Sequence, residues 1–166
     1  SLLYEWEPDG GYYSFLLVAE LDRLYCARTD RTGLDVYDCL GDSVVGFVPG
    51  VPKVYGMAYD GRANLLATAN RTGVSVVDCS ADSVRGMLLA SSRFEPSLLA
   101  YSADSGLLYS YSAPLELLTE VDARTGSVRR HTQVPGGVDN LVYVPTEHVI
   151  YMLRRIEEEQ ELVRYS

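Results

Sequence analysis

RTGVSVVDCSADSV, at residues 71–84, decides the architecture, because a near copy, RTGLDVYDCLGDSV, stands forty residues earlier at residues 31–44. Each copy opens on a tight turn with a glycine, Gly33 or Gly73, and runs into a short strand of alternating apolar residues. Each then turns at an aspartate, Asp38 or Asp78, and starts a second strand at Ser43 or Ser83. Self-similarity at a period of this size marks a chain built from stacked supersecondary units.

Outward from these copies the same unit can be followed along the whole chain. Strand-head serines recur at Ser1, Ser43, Ser83 and Ser127, at intervals of 42, 40 and 44 residues. The chain divides accordingly into units 1–42, 43–82, 83–126 and 127–166 of one domain spanning 1–166. Apolar columns align across the units: Leu16, Met57, Leu99 and Leu141 in one, Val18, Tyr59, Tyr101 and Tyr143 in another, and Leu24, Leu65, Leu107 and Val149 in a third. The inner strands are apolar at successive positions, which predicts burial on both faces. The outer strands carry charge at Asp35, Arg85 and Arg129, which predicts a half-solvated surface. Sheets of this kind, stacked around an axis, make a β-propeller. The expected fold is therefore all-β, with four-stranded antiparallel blades, four per chain. The N-terminal strand, residues 1–7, is expected to complete the last blade of its own chain or of a partner chain. Small residues on the inner strands, Gly56, Ala58 and Ala100, suit close packing near the axis. Residues 153–161 are expected to form a charged hairpin tip.

Composition excludes several classes of function. The net charge of −9 argues against nucleic acid and anionic membranes as partners, since both demand a basic surface. No apolar run approaches the roughly 18 residues that cross a membrane as a helix, so membrane insertion is not expected. The three cysteines, Cys26, Cys39 and Cys79, form no Cys-x-x-Cys pair, and neither a zinc site nor another metal or cofactor is expected. They are expected to be free thiols.

MAYD at residues 57–60, NLLATAN at 64–70, VSVVD at 74–78 and ARTGSV at 123–128 resemble the YVTN-type repeats of β-propellers. The resemblance implies the propeller fold and usually a ring of more than four blades. It also suggests an exported or cell-surface prokaryotic setting. That family spans surface-layer-like proteins, lactonases and subunits of redox enzymes, so it implies no single activity.

The recurring aspartates Asp38, Asp78 and Asp122 are read as turn residues that bind backbone amides, in preference to calcium ligands. His131 and His148, the two histidines, have no repeat-position Ser or Cys that would set a nucleophile beside them. Propellers bind ligands at the axis, on the face bearing the loops that lead into the first strand. Near that face stand Arg28, Arg31, Lys53, Arg71, Arg93, Arg154 and Arg155, a basic rim on an acidic chain. Tyr12, Tyr13 and Tyr55 lie beside the same loops. Asn140 is read as a polar residue in a column otherwise held by Phe15, Gly56 and Leu98. The candidate binding residues are therefore Tyr13, Arg28, Lys53, Arg71, Arg93 and Asn140, and an acidic small molecule or peptide is the expected class of ligand.

The expected function is a non-catalytic scaffold or a platform for ligands or proteins. The alternative is a lactonase-like or redox-associated enzyme fragment. For closure, two chains making an eight-bladed ring are favoured over one chain closing four blades on itself, with a truncated arc as the third possibility.

Overall fold

Short β-favouring runs separated by Asp- and Gly-bearing turns fold here as antiparallel hairpins in series. The computed structural model describes residues 11–90, 94–157 and 159–166. The first sheet holds β1 (Tyr12–Val18), β2 (Arg23–Arg28), β3 (Leu34–Asp38) and β4 (Ser43–Val48). The second holds β5 (Gly56–Asp60), β6 (Leu65–Asn70), β7 (Gly73–Asp78) and β8 (Ser83–Ala90). In the third are β9 (Leu98–Ser102), β10 (Leu107–Ser112), β11 (Leu117–Asp122) and β12 (Val128–Gln133). The fourth has three strands, β13 (Gly137–Val144), β14 (Val149–Ile156) and β15 (Glu159–Tyr165). Strand order within each sheet follows the sequence, and the four sheets are the blades of a β-propeller. The expected strand 1–7 lies outside the described residues.

The turns work as their residues demand. Asp38, Asp78 and Asp122 each accept a backbone N–H two residues on, from Leu40 (3.1 Å), Ser80 (2.9 Å) and Arg124 (3.2 Å). Gly73 has φ 133°, and a Cβ there would stand 1.8 Å from the Leu89 carbonyl oxygen, so only glycine fits. Gly56 serves packing instead: its missing Cβ lets β5 approach β9, where it would otherwise meet the Ser97 carbonyl oxygen at 2.6 Å. The charged hairpin at residues 153–161 is more regular than expected, because β14 runs to Ile156 and β15 starts at Glu159.

Each blade has a leading face, toward the blade before it, and a trailing face, toward the next. The trailing face of blade 1 supplies Tyr25, Ala27, Leu34, Val36 and Val48, which pack on Met57, Leu66, Val77 and Cys79 of blade 2. Ala58, Ala69 and Val74 of blade 2 pack on Leu99, Leu108 and Val121 of blade 3. Ala100, Tyr111 and Leu118 of blade 3 pack on Leu141, Ile150 and Met152 of blade 4. Each large side chain buried in these seams contributes roughly 1.5–3 kcal/mol. The inner strands touch in series, β1 to β5 to β9 to β13, and no contact of that extent joins β13 back to β1 among the described residues.

Register corrects two sequence expectations. In β1 the pairing shifts between Tyr12 and Ser14, so Tyr13 is an extra, bulged residue. Phe15 pairs with Cys26 as Met57 pairs with Thr68, Leu99 with Ser110 and Leu141 with Met152. Phe15, not Leu16, therefore belongs with Met57, and Leu17, not Val18, belongs with Tyr59, while Arg23, not Leu24, belongs with Leu65, Leu107 and Val149. The column of Asn140 consequently holds Ser14, Gly56 and Leu98, so Asn140 is not its only polar member. The second correction concerns Asp35, expected on a wet strand but only 2% exposed. It is tolerated there because Tyr12 donates to it at 2.6 Å, Arg28 at 3.2 Å and Arg31 at 2.5 Å.

Candidate functional site

Every innermost strand pairs on one side only, so its other edge turns backbone N–H and C=O groups toward the axis. Between these four edges lies a groove of about 520 Å³. Its wall takes Ser14–Leu16 from β1, Tyr55–Tyr59 from β5 and the loop before it, Leu98–Tyr101 from β9, and Asn140–Tyr143 from β13. The wall is mixed: Tyr55, Ser14 and Asn140 offer neutral polar groups, while Phe15, Met57 and Leu99 are apolar. The Asn140 side-chain oxygen accepts the N–H of Leu141 at 2.8 Å.

Of the sequence candidates, Asn140 is the described side chain that lines this groove. The side chain of Tyr13 and all of Arg93 lie outside the described residues. Arg71 is exposed in the turn between β6 and β7, and Lys53 is exposed in the loop before β5. Arg28, at the end of β2, is committed elsewhere. Its guanidinium donates to Asp30 (2.7 Å) and Asp35 (3.2 Å) and lies 5.9 Å from the Tyr12 ring centre.

The expected basic rim is largely neutralised by its own neighbours. Two cations, Arg28 and Arg31, meet two carboxylates, Asp30 and Asp35. Arg154 pairs with Glu161, and Arg155 with Asp139 at 2.8 Å. Beside Arg28 the Asp30 carboxyl is held down at about 2, and burial followed by the hydrogen bond to Asp35 drives the Tyr12 phenol up. Sequence reasoning counted the arginines of this face but not the carboxylates that register sets opposite them. It also missed Ser14 and the bare strand edges, since it looked for the site in loops.

The histidines sit apart from the groove lining. His131, on β12, shares a 3.0 Å hydrogen bond with Thr119, and His148, in the turn before β14, stands 3.0 Å from Asp104. Among the described residues no three His, Cys, Asp or Glu side chains gather as a metal would require.

Comparison with known proteins supports the fold. No protein-family model matches the chain, and no curated protein matches it in sequence. Among solved structures it is similar to Kuenenia stuttgartiensis hydrazine synthase, with TM-score 0.76 and 14% identity over 99% of this chain and 48% of that one. It is also similar to U3-55K, with TM-score 0.71 and 14% identity over 94% of this chain and 52% of that one. The chain thus spans about half the length of both of these structures.

Proposed function

We propose that the chain is a non-catalytic propeller module, a binding platform whose four blades form half of a larger ring completed by a second copy. One observation carries this reading: among the described residues the leading face of blade 1 and the trailing face of blade 4 leave large apolar side chains exposed. Phe15 is 71% exposed where its column-mate Met57 is 8% exposed. Leu162 is 67% exposed where Leu34 and Leu118 are fully buried. Removing such area from water is worth roughly 25 cal/mol per Å², which favours association of these two faces. The half-length match to larger chains supports a partner arc of similar size.

In this reading residues 1–7 add a fourth strand beside β15 of the partner's last blade. The outer edge of β15 has no partner strand among the described residues, and a bare edge templates pairing. The ligand platform is the axial groove, whose neutral polar groups and strand edges suit a hydrogen-bonding ligand. The paired rim arginines turn the choice away from a strongly acidic one.

Light scattering tests the reading. A mass of two chains is expected at micromolar concentration, and a mass of one chain there contradicts self-association. Deleting residues 1–7 is expected to return the mass to one chain. If it leaves mass and melting temperature unchanged, strand exchange is wrong. Elemental analysis showing one tightly held transition metal per chain would move the reading to an enzyme.

A further inference from the structure

We propose that the second copy docks through a specific ionic contact as well as through apolar columns: its Asp42 carboxylate seats between Tyr151 and Arg164 of this chain. The inference rests on the self-association reading and assigns the residues that make it selective.

The template is the seam between blades 1 and 2. There Asp82 has φ 46° and stands just before the strand head Ser83. Its carboxylate accepts the Tyr25 hydroxyl at 3.0 Å and Arg23 at 3.2 Å. It lies against the outer half of blade 1, since a Cβ on Gly46 would stand 3.6 Å from both Asp82 Oδ2 and Val36 Cβ.

Both halves of this contact recur on the free faces. Asp42 has φ 50°, stands just before Ser43, and is exposed on the leading side of blade 1. Tyr151 pairs with Val142 and Arg164, as Tyr25 pairs with Leu16 and Val36, so it holds the position of Tyr25 on blade 4. Val149 replaces Arg23 at the strand start, but Arg164 replaces Val36, which flanks Gly46 as the carboxylate does. The cation has moved from the second strand of the blade to the third, on the same face as the tyrosine.

The seam between blades 2 and 3 supplies the control within one molecule. There Ala67 stands in the tyrosine position and Gly126 in the aspartate position, so both halves are missing together. Tyrosine and aspartate thus occur as a pair at the first internal seam, are jointly absent at the second, and occur as a separated pair on the two open faces; at the third seam Tyr109 holds the tyrosine position, and blade 4 has no fourth strand among the described residues to carry an aspartate.

In the single chain these groups are held by partners on their own blades. Asp42 accepts the hydroxyl of Tyr37 on its own blade. Tyr151 donates to Glu147 at 2.8 Å, and Arg164 is 4.0 Å from the same carboxylate with its side chain 58% exposed. Docking sets Asp42 of the second copy in place of Glu147.

Charge reversal in separate chains tests the pairing. Asp42→Arg and Arg164→Glu are each expected to weaken self-association about 30-fold or more. An equimolar mixture of the two variants is expected to restore the mass of two chains, because one seam then carries the reversed pair and the other the native pair. Asp42→Asn, which tolerates the left-handed turn, is expected to weaken association without altering the melting of the dilute chain. If the parent has the mass of two chains and both reversals keep it, this contact is wrong while self-association stands. If the variants dissociate but the mixture does not recover, the pairing of Asp42 with Arg164 is wrong. A parent of one-chain mass overturns both.

Discussion

Cys39 and Cys79 occupy the same place in successive repeats, yet Cys39 is exposed and Cys79 is 1% exposed. The local sequence is nearly identical, so the difference comes from what stands in front of each blade. Cys79 faces blade 1 and joins the seam cluster with Tyr25, Leu34 and Val36. No blade stands before Cys39 among the described residues. Burial at this repeat position is thus a property of the seam, and a repeat at the end of the array carries the same residue without its complement.

Breaking a filled seam and an open face in parallel should give the largest contrast. Leu66 is fully buried between blades 1 and 2, and Leu66→Ala is expected to cost about 2–5 kcal/mol, read by urea denaturation. Phe15→Ala is expected to change the folding stability of the dilute chain by no more than about 0.5 kcal/mol, while weakening self-association. Equal costs for the two would show that the leading face of blade 1 is covered in solution.

The next contrast is between two glycines with positive φ. Gly73, with the Leu89 carbonyl directly in the path of a Cβ, ties β7 to β8, whereas Gly50, at φ 78°, has nothing within 4 Å. Gly73→Val is expected to cost about 3 kcal/mol or more and Gly50→Val about 1–2 kcal/mol. Matching melting temperatures would mean that the β7–β8 register relaxes to accept the side chain.

Repeat logic explains why so much of the fold could be read from the sequence. The turn aspartates recur three times, the glycine of the Arg-Thr-Gly hairpin twice and the apolar columns four times, so each copy checks the others. The reading slipped at β1, because the bulge at Tyr13 adds a residue without changing the strand's composition, and Phe15 and Leu16 are both apolar. The site was less legible for a related reason. Asp35 sits opposite Cys26 in the ladder, and its partners come from β1, β2 and the turn before β3. Only register brings those groups together, and charge counting along the chain mistakes the resulting pairs for a free basic rim. The groove wall escaped because strand edges carry no residue signature.

The smallest effect, and the most direct on the contrast of the two cysteines, is thiol reactivity in the native protein. Burial pushes the Cys26 thiol up to about 11 and also raises that of Cys79. At pH 8 a thiol with a pKa of 11 is ionised to about one part in a thousand, and the thiolate is the nucleophile, so Cys26 should react slowly even where reagent reaches it, and Cys79, its thiol also raised and only 1% exposed, should be slow as well. Cys39 is exposed in its turn, so one fast thiol per chain is expected in dilute protein, and three after denaturation without reductant. Raising the concentration should slow the fast phase, because a second copy would cover Cys39 as blade 1 covers Cys79. Arg164→Glu, which lies on blade 4 away from Cys39 of the same chain, should remove that concentration dependence without changing the fast rate itself. A fast phase independent of concentration in a protein of two-chain mass would place the interface away from the leading face of blade 1. A second fast thiol that maps to Cys79 would show that its seam opens in the native state, and the division into filled and open faces would fail at its best-packed point.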